Sequence, residues 1–539
     1  MLTTFITKHK LAALLLIVVL GFFLRMGSIG SVGFNEDEVQ KVLAARSYLH
    51  GQFLTNLEHP MLMKSLITVS MAGSDLWNRT HPNSSQIRDE VSVRLPNIVF
   101  GALTAVVIYL LANELFGTGI ALLSALLWAS GILAITINRV AKEDTLLVFF
   151  TWLGYFLYLR AKSLSVKDPG QATRCYTASG VSFGLMLASK YFPHYLGLNA
   201  LYYLLCDRGR PDRPLGKRNT LLFLGAFAAV FFLADPVILL PSTLKYIAHY
   251  VSGSSITHHG YLVMGHLYRE DAAGASGMPR YFYLLLFVLK TPIPILACLL
   301  VGLIEAWKRR REPGYSFALF MFVSWIVPFS LAGPKWLRYM LAWMPGVYII
   351  AAIGIVRIWS WLSVVARPRL TPRLAAASAA AFALMFIVYP AGAAAASCPY
   401  YSLYLNAFGF GRTGYYFPHD EMNDMGVRAA SEHIAQEAPY GVSVGSEGGP
   451  VFRYYFHKYG RDDLNYFDLS DSTKTPGAMD SAFLVLQDGR TYFENSALVQ
   501  SIESRQRPIR TVQIGGADAA RIYRKEEVAE LMSLRGRLP

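Results

Sequence analysis

Three consecutive carboxylates, Glu36, Asp37 and Glu38, follow the first long apolar segment of the chain by only a few residues. A carboxylate held near a lipid–water boundary loses part of its hydration, which raises its pKa and suits it to act as a general base. The same run also fits the first turn of a helix, with Asn35 as the N-cap and the acidic residues on the positive end of the helix dipole. The sequence alone leaves both interpretations open.

A second polar group lies between Glu58 and Lys64, where His59 and Pro60 would start a helix that carries Lys64 one turn in. A histidine, a lysine and a carboxylate together can bind a phosphate or a metal ion. The alternative is an interfacial helix that has a proline near its first turn, where proline is well tolerated.

A third group is the turn Asn138–Asp144, which places Arg139, Lys142, Glu143 and Asp144 between two apolar segments. A turn that only marks a membrane boundary would need one or two polar residues. Ionisable residues at the end of a membrane span are functional candidates by default, so this turn is a predicted part of a site.

Several histidines lie between Tyr246 and Arg280, and with nearby carboxylates they could hold a divalent metal such as zinc. Their spacing matches no compact zinc motif, and neutral histidines at an interface are the alternative. The metal therefore stays an open question, with His258, His259 and His266 as candidate ligands, and no cofactor is predicted with certainty.

The elements that must position these residues are transmembrane helices. The chain has 539 residues, of which 53% are apolar and 16% are charged, against about 25% charged in soluble domains. Its aromatic content of 13% excludes a disordered chain, and four cysteines exclude a disulfide scaffold. Segments of roughly 20 apolar residues can cross a bilayer as helices. Eleven spans are predicted: Leu11–Ser28, Pro96–Leu115, Ile120–Ile137, Thr145–Leu159, Tyr176–Ser189, Tyr191–Leu205, Leu221–Leu240, Tyr281–Leu303, Tyr315–Leu331, Leu337–Val356 and Leu374–Ala396.

Clusters of Lys and Arg follow the fourth, sixth, eighth and tenth predicted spans, all on the side of the N-terminus. The positive-inside rule therefore predicts a cytosolic N-terminus. It follows that residues 29–95, 241–280 and 397–539 lie on the opposite, extracytoplasmic side. The formal charge of +14 is divided among membrane loops, so a nucleic-acid partner is not predicted.

A smaller set of cations lies on the predicted extracytoplasmic face, which that rule should deplete. An anionic ligand on this face would explain them, and a lipid phosphate at the membrane boundary fits because Arg and Lys donate charge-assisted hydrogen bonds to phosphate oxygens. The set comprises Arg94, Arg139, Lys142, Lys190, Lys335 and Arg338.

The segment 397–539 differs in composition from the rest, because Gly, Asp, Glu and Arg become more frequent and no apolar run reaches membrane length. Helical and strand periodicities alternate along it. Two domains are therefore predicted, a transmembrane domain over 1–396 and a small extracytoplasmic α/β domain over 397–539. The predicted elements of the second domain are helices at Glu421–Glu437 and Pro450–Tyr459, and strands at Gly441–Gly445, Leu464–Leu469, Ala482–Gln487, Thr511–Ile514 and Ala520–Tyr523, followed by a short terminal helix.

Taken in order, these motifs resemble the glycosyltransferase C superfold, and within it the protein O-mannosyltransferase and aminoarabinose transferase families (glycosyltransferase family 39 and its relatives). The resemblance covers about Leu11 to Tyr404. The matching elements are Asp37-Glu38 after the first span, His59-Pro60-Met61-Leu62-Met63-Lys64, Arg94-Leu95-Pro96, Arg139 with Asp144, Lys190-Tyr191, and Lys290-Thr291-Pro292-Ile293-Pro294.

The resemblance implies transfer of a sugar from a polyprenyl-phosphate donor to a protein, lipid or glycan acceptor. It implies Asp37 as general base, beside Glu38 in the acidic pair. It implies that Arg139, Lys190 and Arg338 stabilise the departing phosphate, and that His59 and Lys64 position donor or acceptor; Arg94 and Asp144 belong to the same binding set.

Two features depart from the family pattern. Glu36 precedes the acidic pair, so Glu36-Asp37 is an alternative register, and Met61 replaces the second proline of the histidine motif. The tail lacks the sugar-binding repeats of eukaryotic protein mannosyltransferases, which favours a bacterial inner-membrane protein. The sequons that begin at Asn78 and Asn83 would argue for a eukaryotic lumenal location, but such triplets are common by chance.

Two other classes of function are compatible with a polytopic chain. A flippase or transporter of a lipid-linked sugar would spread charges along the bundle and show internal repeats. A non-catalytic anchor for the tail would not need acids and cations gathered on one face. The concentration of charge on one face favours the transferase.

Overall fold

The computed structural model describes residues 9–191, 198, 201–202, 205, 216–251, 259–269, 277–366, 371–470 and 481–524. Helices predominate up to residue 396. In chain order they are α1 (Lys10–Met26), α2 (Glu36–Leu49), α3 (Met61–Thr80), α4 (Asp89–Phe116), α5 (Thr118–Ala129), α6 (Ile132–Asn138), α7 (Asp144–Leu164), α8 (Pro169–Ser189), α9 (Lys217–Ala234), α10 (Pro241–Val251), α11 (Phe282–Lys290), α12 (Ile293–Lys308), α13 (Pro313–Leu331), α14 (Met344–Ala366), α15 (Pro372–Ala383) and α16 (Tyr389–Ala396). A short antiparallel hairpin of β1 (Tyr261–Val263) and β2 (His266–Tyr268) precedes α11.

Every predicted span coincides with helix except Tyr191–Leu205, most of which lies outside the described residues. By length and apolar composition, six of the described helices could cross a membrane, or seven if the bent pair α5–α6 counts as one span. The count of eleven therefore stays a prediction. The six are Lys10–Ser31, Asp89–Phe116, Lys217–Ala234, Pro313–Leu331, Met344–Val364 and Arg373–Ala396.

The third predicted span is broken, because α5 and α6 meet at an angle of 55°. A β-carbon on Gly131 would lie 2.0 Å from the Tyr348 hydroxyl, so only glycine allows this close approach. The break leaves carbonyl groups of α5 without partners in their own helix, and buried backbone carbonyls need such partners. The fully buried Arg25 of α1 donates hydrogen bonds to the carbonyls of Trp128 and Ala129, and also to the Asn138 side chain at 2.9 Å.

The eighth predicted span is also broken, at Thr291, between α11 and α12. Proline at position 292 cannot donate a backbone hydrogen bond, which explains the interruption. The Asn406 side chain donates hydrogen bonds to the carbonyls of Val288 and Thr291 at 2.6 and 2.7 Å. A residue outside the two helices thus satisfies carbonyl groups at the break.

After α16 the described chain forms two short 3-10 helices (Tyr401–Leu403 and Ala407–Gly409), four α-helices and a five-stranded mixed sheet. The helices are α17 (Pro418–Met422), α18 (Val427–Glu437), α19 (Gly449–Lys458) and α20 (Ser496–Arg505), and the strands are β3 (Ser443–Ser446), β4 (Asn465–Asp468), β5 (Phe483–Gln487), β6 (Arg510–Ile514) and β7 (Ala517–Arg524). The strand order is β4-β3-β5-β7-β6; β3 pairs in parallel with β4 and β5, and β7 pairs antiparallel with β5 and β6.

The five strands and the helix α19 agree with the elements predicted from the sequence, with strand ends shifted by at most three residues, whereas the helix α20 was not predicted. The expected helix Glu421–Glu437 is two helices, α17 and α18, because Asn423 and Asp424 adopt left-handed backbone angles between them. The terminal helix expected after Tyr523 lies outside the described residues. The domain boundary at residue 396 stays a prediction.

The sheet-containing segment packs directly on the loop that follows α1. The buried Tyr455 hydroxyl accepts a hydrogen bond from the Phe34 backbone N–H at 2.8 Å and lies 3.1 Å from the carboxylate of the buried Glu90. Lys458 pairs with the same carboxylate at 3.3 Å. This contact joins α19 to the beginning of α4 and to the segment that leads into α2.

Candidate functional site

The first turn of α2 is fixed by a capping box. The Asn35 side chain accepts a hydrogen bond from the Glu38 N–H at 2.9 Å, and the Glu38 carboxylate accepts one from the Asn35 N–H at 3.2 Å. Such reciprocal bonds satisfy two of the backbone donors that a helix start leaves unpaired. The helix-cap interpretation therefore applies to Glu38, while Asp37 remains outside the cap.

Glu38 has further partners that occupy its carboxylate completely. Arg94 binds it through two hydrogen bonds of 2.7 and 2.6 Å, and the Ala141 N–H donates a third at 2.9 Å. The remaining N–H groups of Arg94 donate to the carbonyls of Ile29, Val32 and Gly33. All five N–H donors of this guanidinium are thus engaged within the protein.

Asp37 differs from Glu38 in being accessible, since its side chain is 43% exposed. The Lys142 ammonium lies 2.8 Å from its carboxylate and the Arg338 guanidinium 3.4 Å from the same oxygen. Burial opposes ionisation, but Lys142 and Arg338 outweigh it and hold the pKa of Asp37 below its usual range. The raised pKa expected from desolvation is therefore wrong for Asp37, which is a carboxylate at neutral pH, whereas burial does raise the pKa of Glu36.

Asp37 lies in a cleft between the start of α2, the turn after α6 and the segments that follow α16. Two buried guanidinium nitrogens at this cleft, Nη2 of Arg139 and Nε of Arg338, have no hydrogen-bond partner among the described residues. Buried donors of this kind favour an anionic ligand. We call this feature the Asp37 cleft; its lining includes Asp37, Arg139, Lys142, Arg338, Tyr400, Tyr401, Asp420 and Asn423.

Arg139 and Arg338 are both held in place by other contacts. Nη1 of Arg139 donates to the carbonyls of Arg25 and Gly27, each at 2.7 Å, and the guanidinium lies over the Tyr401 ring. Arg338 lies over the Trp336 ring with its central carbon 5.0 Å from the ring centroid. Each guanidinium is therefore oriented before any ligand arrives.

The charged turn after α6 distributes its side chains to different partners. Arg139 and Lys142 line the Asp37 cleft, whereas Glu143 and Asp144 do not. The buried Glu143 lies 2.6 Å from Lys41, and the buried Asp144 lies 2.8 Å from Lys190. The sequence-predicted site residues thus fall into two groups joined by this turn.

His59 and Lys64 lie with the second group. His59 Nδ1 is 3.7 Å from the Glu143 carboxylate, and burial with the neighbouring Lys41 and Lys142 keeps the pKa of His59 low. The three N–H donors of Lys64 reach the carbonyls of Thr55, Asn56 and His59, and burial lowers its pKa to about 7. Lys64 therefore fixes the loop that carries His59.

The histidine-rich loop yields no metal centre among the residues that the structure describes. No three side chains of the types His, Cys, Asp and Glu lie together there as a ligand set would require. His259 pairs with Glu494 at 2.8 Å, and His266 belongs to β2. His258 lies outside the described residues.

Several residues at or beside the site carried no assignment from the sequence. They are Lys41, Asp424 and Arg490, together with Tyr400, Tyr401, Asp420 and Asn423 of the cleft lining. Lys41 is a charged residue next to the buried apolar residues Val39 and Val42 of α2. This pattern in the helix could have indicated that Lys41 is buried. Asp424 and Arg490 approach the start of α2 from far along the chain, with Asp424 accepting a hydrogen bond from the Glu36 N–H at 3.0 Å. No sequence signal connects them to it.

Comparison with known proteins gives one family match. Residues 86–239 match the profile of the family described as dolichyl-phosphate-mannose-protein mannosyltransferase. The matched segment contains Arg94, Arg139, Asp144 and Lys190 of the predicted set. No curated protein sequence matches the chain.

Solved structures give broader matches. ArnT from Cupriavidus metallidurans matches in its undecaprenyl-phosphate-bound form (14% identity, TM-score 0.53, 96% of this chain and 98% of that chain) and in its apo form (14%, 0.54, 97% and 99%). The oligosaccharyltransferase AglB from Archaeoglobus fulgidus, in complex with an inhibitory peptide and a dolichol-phosphate, matches at 12% identity over 89% of this chain and 70% of that chain, with a TM-score of 0.49. The chain has the fold of ArnT, so the predicted resemblance to the glycosyltransferase C superfold is confirmed at the level of the fold.

Proposed function

We propose that the protein transfers a sugar from a polyprenyl-phosphate donor to an acceptor at the extracytoplasmic face of a bacterial inner membrane. The observation that carries this proposal is the composition of the Asp37 cleft, where one accessible carboxylate lies beside cations with unused buried donors. The family match in residues 86–239 and the fold support the same reaction class.

In this proposal Asp37 accepts the proton of an acceptor hydroxyl or amine. The acceptor atom then forms a bond to the anomeric carbon while the bond from that carbon to the phosphate oxygen breaks. The electron pair of the broken bond goes to the phosphate, which gains a negative charge as it leaves. Cations aimed at charge that develops in the transition state stabilise that state more than the ground state.

Arg139 and Arg338 are the side chains best placed to receive the departing phosphate, because each has a buried N–H donor to spare. Lys142 keeps Asp37 ionised and oriented from 2.8 Å. Lys190 forms an ion pair with Asp144 at 2.8 Å in the second group of residues, so the Asp144 carboxylate balances its charge there.

Glu38, Arg94 and Lys64 take supporting roles in this proposal. The hydrogen-bonding capacity of each is already occupied by the protein, so none has the unused donors or acceptors that a substrate would need. Their contacts hold the first turn of α2 and the loop around His59.

The test uses membranes that contain the full-length protein and a labelled polyprenyl-phosphate sugar. We expect Asp37→Asn to lower the rate of sugar transfer by about 100-fold or more, within the range seen for loss of a general base. Asp75→Asn is the matched control, because Asp75 lies in the same extramembrane segment and pairs only with Arg46 in the described structure.

Undiminished transfer by Asp37→Asn would overturn the assigned base. Movement of the labelled lipid across the bilayer without sugar transfer in the wild type would instead favour a flippase. Donors that carry different sugars, tested against protein, lipid and glycan acceptors, identify the substrates.

A further inference from the structure

Asp37 is the second residue of α2, so the position of its carboxylate depends on where that helix begins. The capping box of Asn35 and Glu38 fixes the start from within the segment that follows α1. It leaves the Glu36 N–H without an intrahelical partner, as the first donors of any helix are.

That N–H is bound by a residue from the sheet-containing segment. The carboxylate of Asp424 accepts it at 3.0 Å, and only 2% of the Asp424 side chain is exposed. A negative group at a helix N-terminus also interacts favourably with the helix dipole. Asp424 therefore serves as a second cap for α2.

Asp424 is held by Arg490 through two parallel hydrogen bonds. Nε of Arg490 donates to one carboxylate oxygen at 2.8 Å and Nη2 to the other at 2.5 Å. Nη1 of the same guanidinium reaches the Glu36 carboxylate at 3.1 Å. Planar two-point pairing of this kind adds geometric precision as well as energy.

Both partners of the pair lie in backbone segments of unusual geometry. Asp424 has a left-handed φ of 61°, a conformation that is sparsely populated for residues other than glycine. Arg490 follows Gly489, whose φ is 87° and where a β-carbon would lie 2.4 Å from the His419 backbone nitrogen. The turn after β5 therefore packs closely on α17, and hydrogen bonds to Asp424, Glu36 and Tyr492 hold the Arg490 guanidinium.

We propose that Arg490 is a positioning residue for the transfer reaction, acting through Asp424 on the start of α2 and so on the Asp37 carboxylate. The inference rests on the proposed function of Asp37 as base. It gives the segment after residue 396 a part in the chemical step, because without it one of the two caps of α2 is missing.

The experiment compares Arg490→Gln and Arg490→Lys with Arg524→Gln in the full-length protein. Arg524 is the matched control, since it pairs with the exposed Glu437 at 2.7 Å and does not line the Asp37 cleft. Two quantities are measured for each variant: hydrogen-exchange protection of the amides of residues 36–39, and kcat and KM for sugar transfer.

We expect Arg490→Gln to lose protection at these amides and to lower kcat by about 10- to 100-fold, with KM for donor and acceptor changed by less than about 3-fold. Arg490→Lys should recover part of kcat, because an ammonium keeps the charge but cannot pair at two points. Asp424→Asn combined with Arg490→Gln should be about as slow as the slower single variant, since both act on one contact.

We call the contact of Arg490 and Asp424 with the start of α2 the clamp. Unchanged hydrogen exchange at residues 36–39 in Arg490→Gln would show that this clamp does not exist and would overturn the proposal. Lost protection with full kcat would show that the clamp exists but does not act on the reaction, which also overturns the proposal. If Asp37→Asn abolishes transfer while Arg490→Gln does not affect it, the proposed function stands and this inference fails. If the wild type transfers no sugar from any donor tested, the proposed function fails, and the exchange data alone still decide whether Arg490 holds α2.

Discussion

At the scale of single residues, Asp37 has the most accessible carboxylate of the acidic run, 43% exposed against 37% for Glu36. Its chemistry depends on its two cationic neighbours. Lys142 and Arg338 hold its pKa below the usual range of an aspartate. A base of low pKa is weak as a proton acceptor, but it is ionised in every molecule at neutral pH. The proton it accepts is transferred beside two cations whose positive charge also favours the departing phosphate.

The first prediction follows from the sign of that pKa shift. Because the pKa of Asp37 is lowered, its ionised form persists down to acidic pH, and activity is lost only below about 3.9, the ordinary pKa of an aspartate. Lys142→Gln removes the nearer cation, so the pKa should rise and the acidic limb of the pH–kcat profile should move to higher pH by about one unit or more.

The measurement is sugar transfer by Lys142→Gln and wild type over a range of acidic pH. Lys458→Gln is a suitable control, since Lys458 pairs with Glu90 at 3.3 Å and does not line the Asp37 cleft. An acidic limb that coincides in Lys142→Gln and wild type would mean that Asp37 is not the titrating group.

The second prediction separates a structural role of Arg94 from phosphate binding. Arg94→Met leaves the buried Glu38 carboxylate without its partner, and breaking a buried ion pair in this way costs about 3–5 kcal/mol. We expect a marked fall in Tm in detergent. Adding Glu38→Gln should recover part of it, because the unpaired charge is then removed.

Arg46→Met serves as the comparison for that series, because Arg46 is 40% exposed and its pairs with Asp75 and Asp89 are surface pairs worth about 1 kcal/mol or less. If Arg94→Met unfolds at the wild-type temperature but binds polyprenyl phosphate poorly, the phosphate-binding role implied by the family resemblance is correct instead.

At the scale of elements, the break between α5 and α6 brings the charged turn into the site. A straight continuous helix would carry Asn138 and Arg139 along the axis of α5. The bend instead turns the axis of α6, and with it these two residues, by 55° from the axis of α5. Arg25 donates hydrogen bonds to the carbonyl groups that the break leaves without helical partners. The close packing on Tyr348 requires glycine at position 131.

The third prediction concerns this break. Gly131→Ala forces a β-carbon to within 2.0 Å of the Tyr348 hydroxyl, and overpacking of a core costs about 1–3 kcal/mol. We expect a lower Tm in detergent and, because Arg139 moves with α6, weaker binding of polyprenyl phosphate.

Gly119→Ala is the matched substitution in the first turn of α5. A β-carbon at position 119 would meet no other part of the described protein within 4 Å. Gly119→Ala should therefore leave the free energy of unfolding unchanged or raise it by up to about 1 kcal/mol, so Tm should be equal to or above the wild-type value. Equal Tm values for Gly131→Ala and Gly119→Ala would show that the bend tolerates a side chain and does not depend on glycine.

The sequence predicts helix positions well because apolar runs must be helical in a membrane, whatever they contact. It cannot predict the bend at Gly131, since the reason for that glycine is Tyr348, which lies far along the chain. The same limit applies within the site. Composition marks Arg94 and Arg139 alike as misplaced cations. Yet the Glu38 carboxylate and three distant backbone carbonyls occupy all the donors of Arg94, whereas one nitrogen of Arg139 has no partner among the described residues.

At the scale of the whole molecule, the site depends on segments from both ends of the chain. The acids come from the first turn of α2 and the turn cations from the segment after α6, while Arg490 follows β5. Order along the sequence can place Asp37 and Arg139 on one face through the alternation of spans. Sequence order does not predict the position of Arg490, because the way the sheet packs against the start of α2 depends on tertiary contacts.

The last prediction tests whether the segment around α2 and the sheet-containing segment lie on the same side of the membrane. If the N-terminus is cytosolic, the exposed residues Ser84 and Ser504 lie outside the cytosol and the exposed Lys167 lies within it. In intact spheroplasts, a membrane-impermeant maleimide should then label Ser84→Cys and Ser504→Cys, and should label Lys167→Cys only after permeabilisation. The wild-type protein gives the background from its natural cysteines, of which Cys298 is buried. Labelling of Ser84→Cys without Ser504→Cys would separate the two segments by a membrane and contradict the contacts between Arg490, Asp424 and α2, because those contacts require both segments on the same side.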